Sequence, residues 1–307
     1  MATTILANIT ARGTRADFVD AIGTAPNVWM KHCKQVESDA PDERYTWLGM
    51  LPIPRRFISE RNIQGVRDFT FTVENFEYEM SFIVDQKTGE DDRHGTVQAR
   101  IKEIAEVYAT FKDSLFASLL IAGESSTDTY DGTAFHSASR TIGQSGTIDN
   151  TEEATITPDN SPSVAEIKAA LKHIIESMWR YADDQGRVAY NAAAMTRLAC
   201  AIPPEHHQVF TEAINSSLIS NSDNPWMKGI TEFDVLPYLT DADNAFYLSA
   251  IGAERMPFLH QQRVPLQVEV FNSPHEIAEE RGLKILTRER FRFAYGEPRR
   301  NFRYDFV

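Results

Sequence analysis

The chain of 307 residues is 42% hydrophobic and 24% charged, and it carries a formal net charge of −13. Such a composition belongs to a globular protein that buries about three quarters of its unfolded surface, in one large domain or two moderate ones. The negative charge argues against tight nucleic-acid binding, whose affinity comes mainly from Lys and Arg displacing phosphate counterions. No run approaches the ~18 apolar residues that a bilayer span needs, and Met1-Ala2-Thr3-Thr4-Ile5-Leu6 lacks the basic region and apolar core of a secretion signal. Cys33 and Cys200 lie too far apart for a zinc knuckle, a CxxC motif or a disulfide framework, and are expected as buried, reduced thiols of a cytosol-made protein.

In chain order, the stretch from Met1 to about Asp42 mixes short apolar pairs with Gly13, Gly23, Pro26 and Pro41. It predicts an arm with one short helix around Thr14 to Ala21, capped by Thr14. A second turn from Val28 to Val36 would put Trp29, Cys33 and Val36 on one face, ready to dock against a larger body. From Phe69 to Val84 the period becomes two. Phe69, Phe71 and Val73 alternate with threonines, and Phe76, Tyr78, Met80, Phe82 and Val84 follow after a break near Glu74-Asn75. This strand patterning predicts an extended ribbon with its tip around Glu74 to Phe76, and an eight-residue arm of it reaches roughly 26 Å. An ordinary hairpin lying on the chain's own core is the other structure the pattern allows.

After Gly95, Val97, Ile101, Ile104, Val107, Tyr108, Phe111, Leu115, Leu119 and Leu120 recur at three- and four-residue spacing, with Lys102, Glu103, Glu106, Lys112 and Asp113 between them. They predict one amphipathic helix from Thr96 to Ala122, about 40 Å long. Glu90, Asp91 and Asp92 complement its dipole at the start, and Gly123 ends it. The stretch from Gly123 to Pro162 is rich in Ser, Thr, Gly, Asn and Asp, and is expected as mobile loop or short edge strands between two lobes. Ser163 and Glu166 form a capping-box signature, ahead of an apolar face of Ile167, Leu171, Ile174, Ile175, Met178 and Trp179. Pro203-Pro204-Glu205 opens a helix to about Ser217. Phe233 to Leu236, Ala245 to Leu248, Leu266 to Val270 and Leu283 to Tyr295 read as strands, the last with Lys284, Arg288, Arg290 and Arg292 on one face. From Arg281 to Val307 there are eight basic residues against three acidic ones, a net +5, so the remainder carries −18. An acidic body with a basic C-terminal segment can pair with a copy of itself; a strand with a basic solvent face is the simpler alternative.

Motifs of chemistry are weak. Gly143-Gln144-Ser145-Gly146 is too short for a nucleophile elbow, and no phosphate-cradling glycine motif is present. His206-His207 beside Glu205 cannot easily chelate one ion, since adjacent helical residues point about 100° apart and the His-Glu-x-x-His spacing is missing. Glu90-Asp91-Asp92 reads as a helix start rather than a cation site, and Asp241-Ala242-Asp243-Asn244 as a turn.

Tyr45-Thr46-Trp47-Leu48-Gly49, the aromatic ribbon, Glu90-Asp91-Asp92 with Gly95, and Tyr130-Asp131-Gly132 with Phe135 occur in that order, and together they resemble the major head subunit of Mu-like phages. The rest is similar in outline to the wider HK97-like capsid pattern. The resemblance implies an α+β subunit: an N-terminal arm (1–44), an extended β-hairpin loop with flanking strands (45–95), a peripheral domain with a spine helix (96–162), an axial domain (163–240) and return strands (241–307). It implies a structural major capsid protein, not an enzyme and without cofactor or metal. Copies would close into pentamers and hexamers of an icosahedral phage head enclosing double-stranded DNA without sequence-specific binding. A separate scaffold, a protease and a portal are the other partners it implies, with assembly in the host cytoplasm, residence in the virion and no membrane contact. The residues before Tyr45 are too few for the large scaffolding domain of some relatives, and the lysine–asparagine crosslink of one relative finds no matching positions. The subunit-contact candidates are Arg55, Arg56 and Arg61, the expected tip at Glu74, Asn75 and Phe76, and the basic strand residues Arg288, Arg290 and Arg292. The alternatives are an encapsulin-like shell around an enzyme cargo and a soluble enzyme with an unrecognised site.

Overall fold

The computed structural model describes residues 18, 20–22, 27–48, 68–85, 96–158, 161–189, 197–215, 218–219, 222–223, 232–240, 244–252, 255–271 and 282–307. A single helical turn α1 (Trp29–His32) leads into β1 (Cys33–Glu37), then β2 (Asp42–Leu48), β3 (Asp68–Glu74) and β4 (Phe76–Asp85). The long helix α2 (Thr96–Ala122) follows, then three short strands, β5 (Arg140–Thr141), β6 (Thr147–Ile148) and β7 (Thr151–Ala154). Beyond α3 (Val164–Arg180) come β8 (Leu198–Ile202), α4 (His207–Asn215), β9 (Leu218–Ile219), β10 (Ser222–Asp223), β11 (Glu232–Val235) and β12 (Ala245–Ala250). The chain closes with β13 (Phe258–Phe271), β14 (Gly282–Tyr295) and β15 (Asn301–Phe306).

Two sheets organise these elements. One has the order β1-β13-β14-β4, and the other the order β11-β8-β12-β15-β7. The antiparallel pair β13 and β14 is the axis of the first sheet, with register shifts on either side of Val264. Pro265 sits at the second shift, where a residue without an amide N–H cannot extend the ladder. Two clusters lie under α2. Ile101 and Ala105 pack with Phe18, Val268 and Ile285, while Phe116 and Leu120 pack with Phe135, Phe258, Phe291, Phe293 and Tyr295. The second sheet buries the amphipathic faces of α3 and α4 against Cys200, Ile202, Phe246 and Leu248.

The long helix has the predicted bounds, and at 1.5 Å per residue it spans about 40 Å. Gly123 closes it with an N–H to Leu120 O, and a Cβ there would meet the His136 ring at 2.5 Å, so the helix end and the following turn interlock. The polar residues of this helix divide differently from the expectation. Val107 is 64% exposed, whereas Lys112 and Asp113 turn inward. Tyr108, Lys112 and Phe116 are spaced by four and therefore share the buried face. In α3 the capping box is present, with Ser163 Oγ accepting from Glu166 N and Glu166 Oε2 accepting from Ser163 N. Trp179, expected on its apolar face, is 46% exposed.

Two further expectations change. The turn from Val28 to Val36 is helical only over α1, because Cys33–Glu37 pairs in parallel with Phe258–Gln262. The ribbon from Phe69 to Val84 is two strands in two sheets. β3 pairs with β2 from Asp42↔Glu74 to Leu48↔Asp68, and β4 pairs with β14 from Gly282↔Asp85 to Phe291↔Phe76. Glu74 to Phe76 is thus a corner between sheets, and β3 pairs antiparallel with β2, with Tyr45, Phe71 and Val73 packed against Leu259 and Ala294 of the central strands. Helical backbone at Phe18 and 20–22 overlaps the first predicted arm helix, whose start at Thr14 lies outside the described residues.

Candidate assembly surfaces

The root of the β2–β3 hairpin is fixed by side-chain amides. Asn75, 6% exposed, donates from Nδ2 to Ser38 Oγ at 3.1 Å, Ala40 O at 3.1 Å and Pro41 O at 3.2 Å. Its Oδ1 accepts from Gln261 Nε2 at 2.8 Å, and the same nitrogen donates to Val73 O at 3.2 Å. Tyr45 Oη donates to Gln261 Oε1 at 2.7 Å, and Glu43 Oε1 accepts from Ser38 Oγ, Asp39 N and Ala40 N. Buried amides need such partners, so these bonds hold the hairpin's exit angle relative to β13. Of the predicted contact residues, Asn75 therefore faces inward; Phe76, at the start of β4, is 44% exposed. Arg55, Arg56 and Arg61 lie outside the described residues.

The basic strand β14 is covered by acidic side chains of its own chain. Arg288 makes a bidentate pair with Glu77 at 2.7 and 3.2 Å, and Arg290 Nε lies 3.8 Å from the same carboxylate. Arg292 reaches Asp128 at 3.2 Å and its guanidinium sits 4.7 Å from the Phe76 ring centroid. Solvent screening leaves the exposed Arg288–Glu77 pair little net stability. Arg288 holds the Glu77 carboxyl below the usual range.

Inside, α2 is held to the central hairpin by charge. Glu289, fully buried, accepts from Tyr108 Oη at 2.6 Å, Lys112 Nζ at 2.6 Å and Gln262 Nε2 at 2.9 Å. Asp113 Oδ1 accepts the N–H groups of Val28 and Trp29, each at 3.0 Å, and burial raises its carboxyl above the usual range. Lys31 bridges Asp234 at 2.6 Å and Glu232 at 2.9 Å, so α1 is pinned to both the long helix and the second sheet. A polar chain crosses the core behind it. His136 Nε2 donates to Asn301 Oδ1 at 2.6 Å, Asn301 Nδ2 donates to Ser249 Oγ at 2.9 Å, and Ser249 Oγ meets His32 Nδ1 at 3.0 Å. Burial pushes the His32 and His136 pKa values down to about 4 and about 3.

The word Tyr130-Asp131-Gly132 has a local task. Gly132 turns with φ +70°, and Arg140, wholly buried, binds Asp131 at 2.5 Å and the carbonyl oxygens of Thr133, Ala134 and Phe135. Sequence reasoning missed Arg140, Asp113 and the Lys112–Glu289 pair. The four-residue spacing of Lys112 from Tyr108 and Phe116 was the available signal for the last. Both cysteines are buried free thiols. Among the described residues, no three His, Cys, Asp or Glu side chains converge on a metal-sized site, and no helix is long and apolar enough to cross a membrane.

Two sheets and a helix of 27 residues laid across the central strands give the α+β fold of the HK97-like capsid class. The fold is shared with the procapsid protein of bacteriophage JBD30, at 16% identity, 98% coverage of this chain, 75% of that one and a TM-score of 0.57. It is also shared with a virus-like particle from Pyrococcus furiosus, at 10% identity, 95% and 98% coverage and a TM-score of 0.59. Residues 7–175 match the model of the Mu-like prophage major head subunit gpT, and the chain belongs to that family. A Mu-like prophage FluMu major head subunit from Haemophilus influenzae is 25% identical over 159 residues, which cover 51% of either chain. The chain thus spans about half the length of this curated relative.

Proposed function

We propose that the protein is a structural major capsid protein whose copies close into an icosahedral phage head around double-stranded DNA. The observation that carries this reading is the match to a major head subunit family over residues 7–175, in a chain whose described part shares its fold with a phage procapsid protein. On this reading the β2–β3 hairpin extends over a neighbouring subunit, the α2 layer is the peripheral domain and the five-stranded sheet is the axial domain. Repeated heterologous contacts close rings of five and six, and many modest contacts act together. A scaffold, a protease and a portal act as separate partners, with assembly in the host cytoplasm. An acidic interior would keep the DNA from sticking to the wall.

The contact surfaces proposed are the arginines Arg55, Arg56 and Arg61, the exposed Phe76, and the exchangeable pairs of Arg288, Arg290 and Arg292. Replacing Arg55, Arg56 and Arg61 together by Ala should leave a folded subunit and lower the yield of closed particles at least tenfold. Normal yield would remove these residues from the contact set. Cargo distinguishes the storage-shell alternative: purified particles should contain DNA, whereas an enclosed enzyme would mark a storage shell.

A further inference from the structure

The helical turn α1 is too short to support itself, since nucleating a helix costs more than a single turn returns. Its ends are met by side chains of other elements. Val28, at the N-cap, offers no side-chain cap, and Asp113 of α2 accepts the N–H groups of Val28 and Trp29 instead, each at 3.0 Å. Lys31 reaches Asp234 and Glu232 of β11, and Arg197 lies 3.5 Å from the same Glu232. His32 Nδ1 meets Ser249 Oγ of β12 at 3.0 Å, and its ring centroid stands 5.5 Å from that of Phe116. Trp29, buried with Lys112 Nζ over its ring, is the apolar anchor. The turn leads into β1, an edge strand, so β13 keeps its pairing with β14 if the start of β1 lifts away.

His32 is the weak point of this docking. It is fully buried, and its Nε2 has no hydrogen-bond partner among the described residues. The imidazolium carries an N–H on each nitrogen, so one of them would be buried without an acceptor, in a charged ring beside Lys31. We propose that α1 is an acid-released clasp, which lifts from α2 and the second sheet when His32 takes a proton, while both sheets stay folded. The surrounding charges set the direction. Burial, with Lys31 adding to it, pushes His32 down to about 4, so the lifted turn binds a proton that the docked turn refuses. Glu232 titrates in the same sense, because Lys31 holds its carboxyl low while the turn is docked. The Glu232 charge facing His32 favours the imidazolium in place, but burial and Lys31 outweigh it. Asp113, raised by burial, opposes release by a smaller shift. The clasp stands apart from the shell reading.

The two cysteines report the outcome. Cys33, which follows His32 directly, is buried against Trp29, and Cys200 is buried in β8 of the second sheet. Dispersed full-length subunits are labelled with dithiodipyridine, which reacts with thiols in acid, and each rate is divided by that of the urea-unfolded chain at the same pH. Between pH 7.5 and pH 5, Cys33 labelling should rise at least tenfold while Cys200 stays protected. His32→Asn, whose amide stands near the position of Nδ1 and takes no proton, should flatten that rise. If circular dichroism shows this variant unfolded, Lys31→Met takes its place, at a partly exposed position, and should speed Cys33 labelling severalfold at pH 7.5. Cys33 labelling that stays flat with pH would overturn the proposal. Cys200 exposed in step with Cys33 would overturn it too, since that marks global unfolding. So would a folded His32→Asn variant with the parent's pH response, or a Lys31→Met variant labelled no faster than the parent.

Discussion

Lys112 Nζ and the buried carboxylate of Glu289 stand 2.6 Å apart where the long helix crosses the central hairpin. The ammonium also lies 4.9 Å from the Phe291 ring centroid and 5.6 Å from that of Trp29, so the pair sits among aromatic faces. Removing one partner would leave the other charge in a low-dielectric site. Lys112→Met should destabilise the dispersed subunit by about 3–5 kcal/mol, and the double variant Lys112→Met with Glu289→Leu should recover most of the loss. Urea denaturation of both variants checks this, and a neutral single variant would contradict it.

Asn75 holds the corner that directs the β2–β3 hairpin. Asn75→Ala strips a donor from Ser38, Ala40 and Pro41 and an acceptor from Gln261, and should cost about 1–3 kcal/mol. Limited proteolysis should then cut near residues 38–41 faster than in the parent. An unchanged cleavage pattern would mean that the strand pairing alone holds the corner.

The same corner shows which parts of the fold were legible. The long helix, the capping box at Ser163 and the strands at Phe233, Ala245 and Leu283 depend on periodicity and caps within a few residues, and they appear where the pattern put them, whereas β13 starts at Phe258, well before the Leu266 expected. The break at Glu74-Asn75 was visible too, but a break does not say whether the chain reverses on itself or turns into another sheet. That choice depends on β2 and β14, which lie far away in sequence, and on the match between the Asn75 and Gln261 amides. The basic face of β14 was legible as charge, while its neutralisation by Glu77 and Asp128 was not.

Three of the buried histidines, His32, His136 and His260, make stability sensitive to acid. Burial holds His32 down to about 4 and His136 and His260 down to about 3, with Lys112 adding to the effect at His260. Above about pH 7.5 all three are neutral whether the chain is folded or not, and their contribution is complete. As pH falls from 6.5 towards 4, the unfolded chain takes up protons that the folded chain refuses, so stability is lost through that window, by on the order of 3 kcal/mol per imidazole at most. Asp113, raised by burial, opposes this as a single group. Urea midpoints should fall steadily from pH 7 to pH 4.5, and His260→Met should flatten the slope. A flat profile in the parent would contradict the burial of these rings.

The arginine pairs on β14 should separate stability from association. Arg288→Ala and Arg292→Ala remove pairs open to solvent screening and should leave the urea midpoint of the dispersed subunit close to the parent's. If these side chains trade partners between subunits, particle yield should nevertheless drop severalfold in low salt. Unchanged yield would confine them to their own chain.

Light scattering with negative-stain microscopy on the purified protein, alone and with a co-expressed scaffold, tests the central claim most directly. Closed particles of megadalton mass are the predicted result. A uniform 34.7 kDa species under both conditions would contradict the capsid account.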